Sequence, residues 1–366
     1  IIVTVIGGYD TPPAWLGGLV ILVSLCLAHV THTLVEDPLR QHRPRPRGND
    51  DPVAGARASL RTLPGVARAV GGVLAAALFT VALAVQPYWD KRVDSAEKAL
   101  DPVNYPGARA IQGAQVPDVK PQPDPSLIAG VFPPIGLNDC MIFLPEAPDA
   151  MPGPDCTYGD LEAETTIVLA GGSHIEPFIV PLDKLGKEHH FKVATFVRQE
   201  CPLVVGGPLN PANDIVSPEC AEWGENAMQE IINLQPDLLV STSTRPAGHA
   251  GDGRVSADYV PDAYANLWQR LAELGIPFVG LRDNPWMFTP SGEPMDPNLC
   301  VVAGYSEHAC SMAADMVYAP KDPAAYFLDG AYAQWEIDTA GWYCVDGLCP
   351  PQIGNVYIYR DQNHIS

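Results

Sequence analysis

The sequence is short of positive charge: Lys and Arg number 22 against 43 Asp and Glu, a formal net charge of −21. No lysine occurs before Lys91. Such a chain repels nucleic-acid phosphates and anionic headgroups, so nucleic acid is excluded as a partner. No Cys-x-x-Cys pair is present and no cysteine has a neighbouring set of His ligands, so no metal is expected. No internal repeat is evident. A secretory leader is missing as well: the chain opens on "IIVTVIGG", without Met or a basic n-region, and reads as a fragment of a longer polytopic protein.

Charge is also absent from residues 14–35, "AWLGGLVILVSLCLAHVTHTLV", an apolar run of about bilayer length. A second run at 64–88 carries one charge before its final residues, Arg68, and is rich in Gly and Ala, as packed membrane helices are. Two buried helices of a soluble protein would be shorter and more often charged. Between the runs lie Arg40, Arg43, Arg45, Arg47, Arg57 and Arg61, which the positive-inside rule makes cytoplasmic. The expected order is a membrane segment at 1–37, a cytoplasmic basic loop at 38–63 and an additional transmembrane helix at 64–88. An extracytoplasmic Pro-rich tether at 89–135 and an outer domain at 136–366 follow.

Cysteine placement agrees. Cys26 lies in the first apolar run, and the other eight all follow the second. An even set in an oxidising compartment predicts disulfides. Sequential neighbours close four short loops: Cys140–Cys156, Cys201–Cys220, Cys300–Cys310 and Cys344–Cys349.

From about residue 136 the pattern alternates between strand and helix. "TTIVLAG" (165–171), "FKVATFV" (191–197), "PDLLVSTST" (236–244), "PFVGL" (277–281) and "NVYIY" (355–359) read as strands. A helix runs to about 188. A second helix, at 221–235, sets Ala227, Met228, Ile231 and Leu234 on one face. A third, at 263–274, does the same with Tyr264, Leu267, Leu271 and Leu274, and stops at Gly275. Alternation of this kind predicts an α/β domain with a parallel sheet, whose ligands bind beyond the carboxyl ends of the strands.

Two features fall at such ends. "LAGGSH" places Ser173 after two glycines that let the chain turn sharply. "YRDQNH" places Asp361 three residues before His364, a spacing that lets the carboxylate hold the imidazole Nδ1–H and leaves Nε2 for a serine proton. Each half alone is an ordinary loop; together they specify a nucleophile and its base.

This arrangement resembles the SGNH hydrolase family, whose nucleophile follows the first strand and whose Asp-x-x-His lies near the domain end. The stretches "VLAGGSHIEPF", "CAEW", "LQPDLLVST", "LRDNPWMF", "CSMAA" and "CVDGLCPPQIGNVYIYRDQNHIS" resemble the SGNH domain fused to bacterial membrane acyltransferase-3 proteins. "HVTHTLVEDPLR" is similar to the end of that family's membrane domain. The resemblance implies a three-layer α/β domain in a multi-pass bacterial membrane protein, with the catalytic domain outside. It implies an O-acyltransferase that passes an acyl group, acetyl by expectation, through a serine ester to a hydroxyl of a surface or exported glycan. Acetyl-CoA is the expected donor, at a membrane domain of the full-length chain across the lipid bilayer, with nothing bound by this segment.

By the same resemblance Ser173 is the nucleophile, His364 the general base and acid, and Asp361 its partner. Gly172 stands where the motif usually has Asp, and no Gly-x-Asn-Asp block follows the third strand, where it would fall. Gly172, Gly206 or Gly207, and Ser243, Thr244 and Arg245 are the candidates for the oxyanion and substrate groups. The helix expected to close the domain does not follow His364. Two other readings use the same residues: an extracytoplasmic carbohydrate esterase and an inactive glycan-binding module. Trp286 is a candidate for the acceptor cleft, His174 for shaping the nucleophile turn, and His189 and His190 for a helix end.

Overall fold

The computed structural model describes residues 100–206, 217–246 and 257–366, with a few helical positions between 21 and 91. The chain divides into two units, Ile1–Ser95 and Ala96–Ser366, and the sheet and helices below all belong to the second. Among the described residues no helix is long and apolar enough to cross a membrane. The apolar runs at 14–35 and 64–88 and the basic loop at 38–63 lie almost wholly outside the described residues.

A mainly parallel sheet forms the centre. Its strands are β1 (Met141–Ile142), β2 (Thr157–Gly159), β3 (Thr166–Gly171), β4 (Lys192–Arg198), β5 (Leu238–Thr242) and β6 (Phe278–Leu281). After β7 (Met312–Ala313), which lies outside the sheet, β8 (Gln334–Ile337) completes it, giving the order β1-β4-β3-β5-β6-β8. Strand β2 pairs antiparallel along the first half of β4, and β1 pairs parallel along its end.

Strand β3 is the pivot. The chain leaves it for β4 on one side, then crosses back to β5 on the other. A crevice opens at the carboxyl end of a strand where the order reverses in this way. Ser173 lies two residues beyond that end.

Alternation along β3 splits the core into two layers. Val168 and Ala170 pack under α2 (Pro218–Leu234) and α3 (Asp262–Leu274), with Trp223, Met228, Ile231, Leu267, Trp268 and Leu271. Leu169 faces the opposite side with Val193, Val197 and Ile179 of α1 (Ile179–His189). Helix, sheet and helix thus make three layers, each side chain buried by the period-two geometry of the strand.

Helix α2 starts where Ser217 Oγ accepts from Cys220 N at 3.1 Å, with Pro218 at its first position. Gly224 on that helix admits no side chain, because a Cβ there would overlap Val204 O. The helical faces differ from expectation at their ends. Leu234 and Leu274 are exposed, while Trp223 and Trp268 are buried.

Two sequence expectations are corrected. The last parallel strand is β8, "QWEI", rather than "NVYIY". The latter contributes only β11 (Val356–Tyr357), paired antiparallel with β10 (Gln352–Ile353). Gly354 and Asn355 between them both take left-handed conformations (φ 54° and 63°), as a two-residue hairpin demands.

Nor is the Pro-rich stretch open where it is described. Gln122 bridges to Val356, Gly107 N donates to Gly354 O, and Asn355 Nδ2 donates to the carbonyls of Asn104 and Pro117. Leu127 and Ile128 are buried. The stretch also bonds with itself in short turns at Gly107–Ala110 and Ile128–Gly130, and other backbone groups pair with the hairpin.

The third cluster, Trp286, Met287, Phe288, Met312, Val317, Tyr318, Cys349 and Tyr359, packs the loops beyond the sheet. Strand β9 (Leu348–Cys349) pairs with β7 there. Disulfides join Cys140–Cys156, Cys201–Cys220, Cys300–Cys310 and Cys344–Cys349.

Candidate active site

The turn after β3 sets out the serine. Gly171 has φ 146°, a conformation that disfavours a side chain, and a Cβ there would press on Ser241 Oγ at 3.3 Å. Gly172 has no such backbone demand; a Cβ would lie 3.4 Å from Cys201 O. The chain then turns into Glu176–Phe178 and α1.

The other half is a turn closed on itself. Arg360 N donates to His364 O at 2.8 Å, and Tyr359 bridges to Ile365. Inside it, Asp361 Oδ1 accepts from the backbone N–H groups of Asn363 and His364, both at 2.9 Å. A short Asp side chain folding back on its own backbone is the usual Asx device, and here it aims the carboxylate at the ring.

The two halves meet. Ser173 Oγ lies 2.8 Å from His364 Nε2, and His364 Nδ1 lies 2.8 Å from Asp361 Oδ2. A carboxylate only accepts, so Nδ1 carries the proton and Nε2 accepts from the serine hydroxyl. Burial opposes ionisation of Asp361. The hydrogen bonds from the His364 ring and from the two backbone amides outweigh it and lower its pKa to about 2. The arrangement can deprotonate Ser173 as its oxygen attacks a carbonyl carbon, and can hold the resulting imidazolium.

Loop residues after β6 brace both halves. Asn284 Nδ2 donates to Asn363 O at 2.7 Å and Met287 N to Gln362 O at 2.7 Å, fixing the Asp-x-x-His turn from outside. Asp283 Oδ1 meets His174 Nδ1 at 2.7 Å and accepts from Asn284 N; Oδ2 accepts from Trp286 Nε1 at 3.3 Å. Arg282 anchors this loop with a bidentate pair to Asp258 at 2.8 and 2.9 Å and lies over the Tyr318 ring. These residues were not singled out as a bracing set in the sequence. The signal available was a polar trio, Arg-Asp-Asn, directly after a buried strand.

A cavity of about 630 Å³ opens over the serine, lined among others by Gly172, His174, Thr242, Arg245, Trp286 and His364. Arg245 and Gly172 therefore reach the site as expected positions. Gly206 and Ser243 do not line it. The Gly206 N–H is taken by Glu225 Oε1 at 2.7 Å, and Ser243 is buried, its N–H donating to Leu281 O at 2.8 Å. Both backbone donors are thus committed to holding loops and strands. Thr244 Oγ1 accepts from Asp283 N, and Gly207 lies outside the described residues. His190 caps α1 in a left-handed conformation, bonds Asp160 and is exposed to solvent.

The family model for an SGNH domain (fused to AT3 domains) matches residues 140–366, well over half of the chain. The chain belongs to that family. The match covers every strand of the sheet as well as Ser173, Asp361 and His364, and the α/β fold with its mainly parallel sheet fits an SGNH domain. No curated protein matches this sequence. A lipopolysaccharide acetyltransferase periplasmic domain from Salmonella ser. Paratyphi A aligns at 11% identity and TM-score 0.34, over 56% of this chain and 79% of that one. That agreement is too loose to carry a conclusion.

Proposed function

We propose that this SGNH domain is a serine acyltransferase that moves an acyl group, acetyl by expectation, onto a hydroxyl of a surface or exported glycan. The observation that carries the reading is the unbroken line Ser173–His364–Asp361, at 2.8 Å per step, under an open cavity. His364 Nε2 takes the Ser173 proton as Oγ attacks the donor carbonyl, and returns it to the leaving group. A sugar hydroxyl then attacks the Ser173 ester, giving its proton to His364, which passes it to Ser173 Oγ as the ester bond breaks. Asp361 stays ionised throughout and keeps the imidazole in one tautomer.

Four disulfides support an extracytoplasmic position for the domain. The donor reading belongs with the membrane part of the full-length protein. Among the described residues, Glu200, Glu219 and Asp283 line the cavity beside one guanidinium, that of Arg245, a charge set that does not suit CoA phosphates. Acetyl-CoA would therefore act through a membrane domain on the other side of the bilayer.

The test is mass analysis of the full chain after mixing with an aryl acetate, followed by a glycan acceptor. An acetyl group on Ser173 that moves to the sugar is the expected result. Acetate release without sugar ester would make the protein an esterase, and the absence of an acyl-serine would leave a glycan-binding module.

A further inference from the structure

Ser173 is flanked by two imidazoles, each held by its own carboxylate. His174 Nδ1 binds Asp283 Oδ1 at 2.7 Å, as His364 Nδ1 binds Asp361. The two rings stand edge to face, with centroids 5.2 Å apart, and Trp286 tilts against His174 at 5.0 Å. Asp283 also accepts from Asn284 N and Trp286 Nε1, so it is surrounded by donors, and His174 Nδ1 completes them. That fixes the tautomer: the lone pair of His174 sits on Nε2, on the ring edge away from Asp283. His174 lines the cavity and its side chain keeps 13% exposure. The Ser173–His364–Asp361 relay has no use for this second lone pair.

We propose that His174 is an acceptor-specificity residue whose Nε2 accepts a hydrogen bond from a second hydroxyl of the incoming alcohol. The inference rests on the acyl-serine reading above and names the acceptor class: a vicinal diol, as in a sugar ring. One hydroxyl attacks the Ser173 ester and gives its proton to His364. The new C–O bond forms as the Ser173 Oγ–carbonyl bond breaks, and the proton passes to Oγ. The neighbouring hydroxyl keeps its proton and donates to His174, which gains and loses nothing. Adjacent hydroxyls lie about a hydrogen bond's length apart, which two imidazoles meeting edge to face over one serine can both reach. Water has no second hydroxyl to place, so His174 favours transfer over hydrolysis.

The experiment uses the full chain with an aryl acetate as donor and methanol or ethylene glycol as acceptor. Acetate, methyl acetate and hydroxyethyl acetate are quantified together, so each ratio of transfer to hydrolysis is independent of the acylation rate. Wild-type protein is expected to favour ethylene glycol beyond the doubling that its second hydroxyl supplies statistically. His174→Asn keeps an amide donor for Asp283 but has nothing at the Nε2 position. It should lower the ethylene glycol ratio about tenfold, with a much smaller change for methanol. His174→Gln, whose amide reaches nearer Nε2, should fall less, and reads the same ratio if the Asn variant does not fold. An ethylene glycol ratio unchanged in both variants, or an equal fall for both alcohols, overturns the assignment and leaves His174 as a brace of the turn. Turnover that survives Ser173→Ala instead defeats the acyl-serine reading beneath it.

Discussion

Arg360 reaches across to Glu176, Nη1 to Oε2 at 3.6 Å, with both side chains nearly excluded from solvent. Glu176 stands three residues after Ser173 and Arg360 immediately before Asp361, so one buried pair ties the Ser173 turn to the Asp361–His364 turn. Arg360 also lies over the Phe132 ring at 4.3 Å.

That pair predicts an inverted pH dependence for a carboxyl group. Burial raises the Glu176 pKa to about 7, against the opposing pull of Arg360. A group with a raised folded-state pKa gives stability that is complete below its unfolded value, 4.5, and lost as the pH rises through about 7. Glu176→Gln should therefore match wild type in melting temperature at pH 4.5 and exceed it by a few degrees at pH 8. Melting curves that track each other across that window would mean that Glu176 is charged throughout.

The triad predicts a graded series. Ser173→Ala and His364→Ala should abolish turnover of an aryl acetate. Asp361→Asn should leave a residue, with kcat down by roughly 10³–10⁴-fold, because the amide no longer selects the Nδ1–H tautomer. Steady-state kinetics on protein with an unchanged melting temperature separates this from misfolding; Asp361→Asn at wild-type rate would remove the carboxylate from the mechanism.

Gly172 predicts tolerance. It sits outside the left-handed region, and the nearest atoms to an added Cβ are the Cys201 carbonyl at 3.4 Å and carbon at 3.5 Å and Pro202 N at 3.6 Å. Gly172→Asp should fold normally and keep or raise esterase activity. Gly171→Asp should not, since φ 146° strains any side chain. A large loss in the first variant with normal folding would show that the site depends on Gly172 as it stands.

The disulfides predict a ranking. Cys201–Cys220 closes a loop of 19 residues and Cys344–Cys349 one of 5. Loop entropy gives about 3 kcal/mol for the first and about 2 for the second. Denaturant unfolding of Cys201→Ser/Cys220→Ser beside Cys344→Ser/Cys349→Ser reads both. Equal losses, or free thiols in non-reducing peptide maps, would contradict the ranking or the bonds.

What the sequence disclosed follows from how local each signal is. Strands β3 to β6 are largely apolar runs with most of their residues buried, and they announce themselves. Strand β8 lies at a sheet edge with Trp335 and Ile337 exposed, so "QWEI" carries no such signature. "NVYIY" does carry it, but the hairpin at Gly354 and Asn355 folds it away from the sheet. Ser173, Asp361 and His364 were legible because two short motifs fall at chain turns. Asp283, Asn284 and Glu176 were not, because a lone polar residue acquires a role only when folding brings its partner, 109 positions away for His174 and Asp283.

Ser173 and His364 are separated by 191 positions. During synthesis the alcohol side chain therefore leaves the ribosome long before the imidazole it is to meet. Until nearly the entire domain has emerged and closed, the growing polypeptide carries Ser173 without its imidazole partner. A contact of that span has to wait until distant parts of the chain meet, and closing so long a loop costs conformational entropy. The Ser173–His364 contact is therefore complete only in a folded chain, and a truncated chain lacks its imidazole.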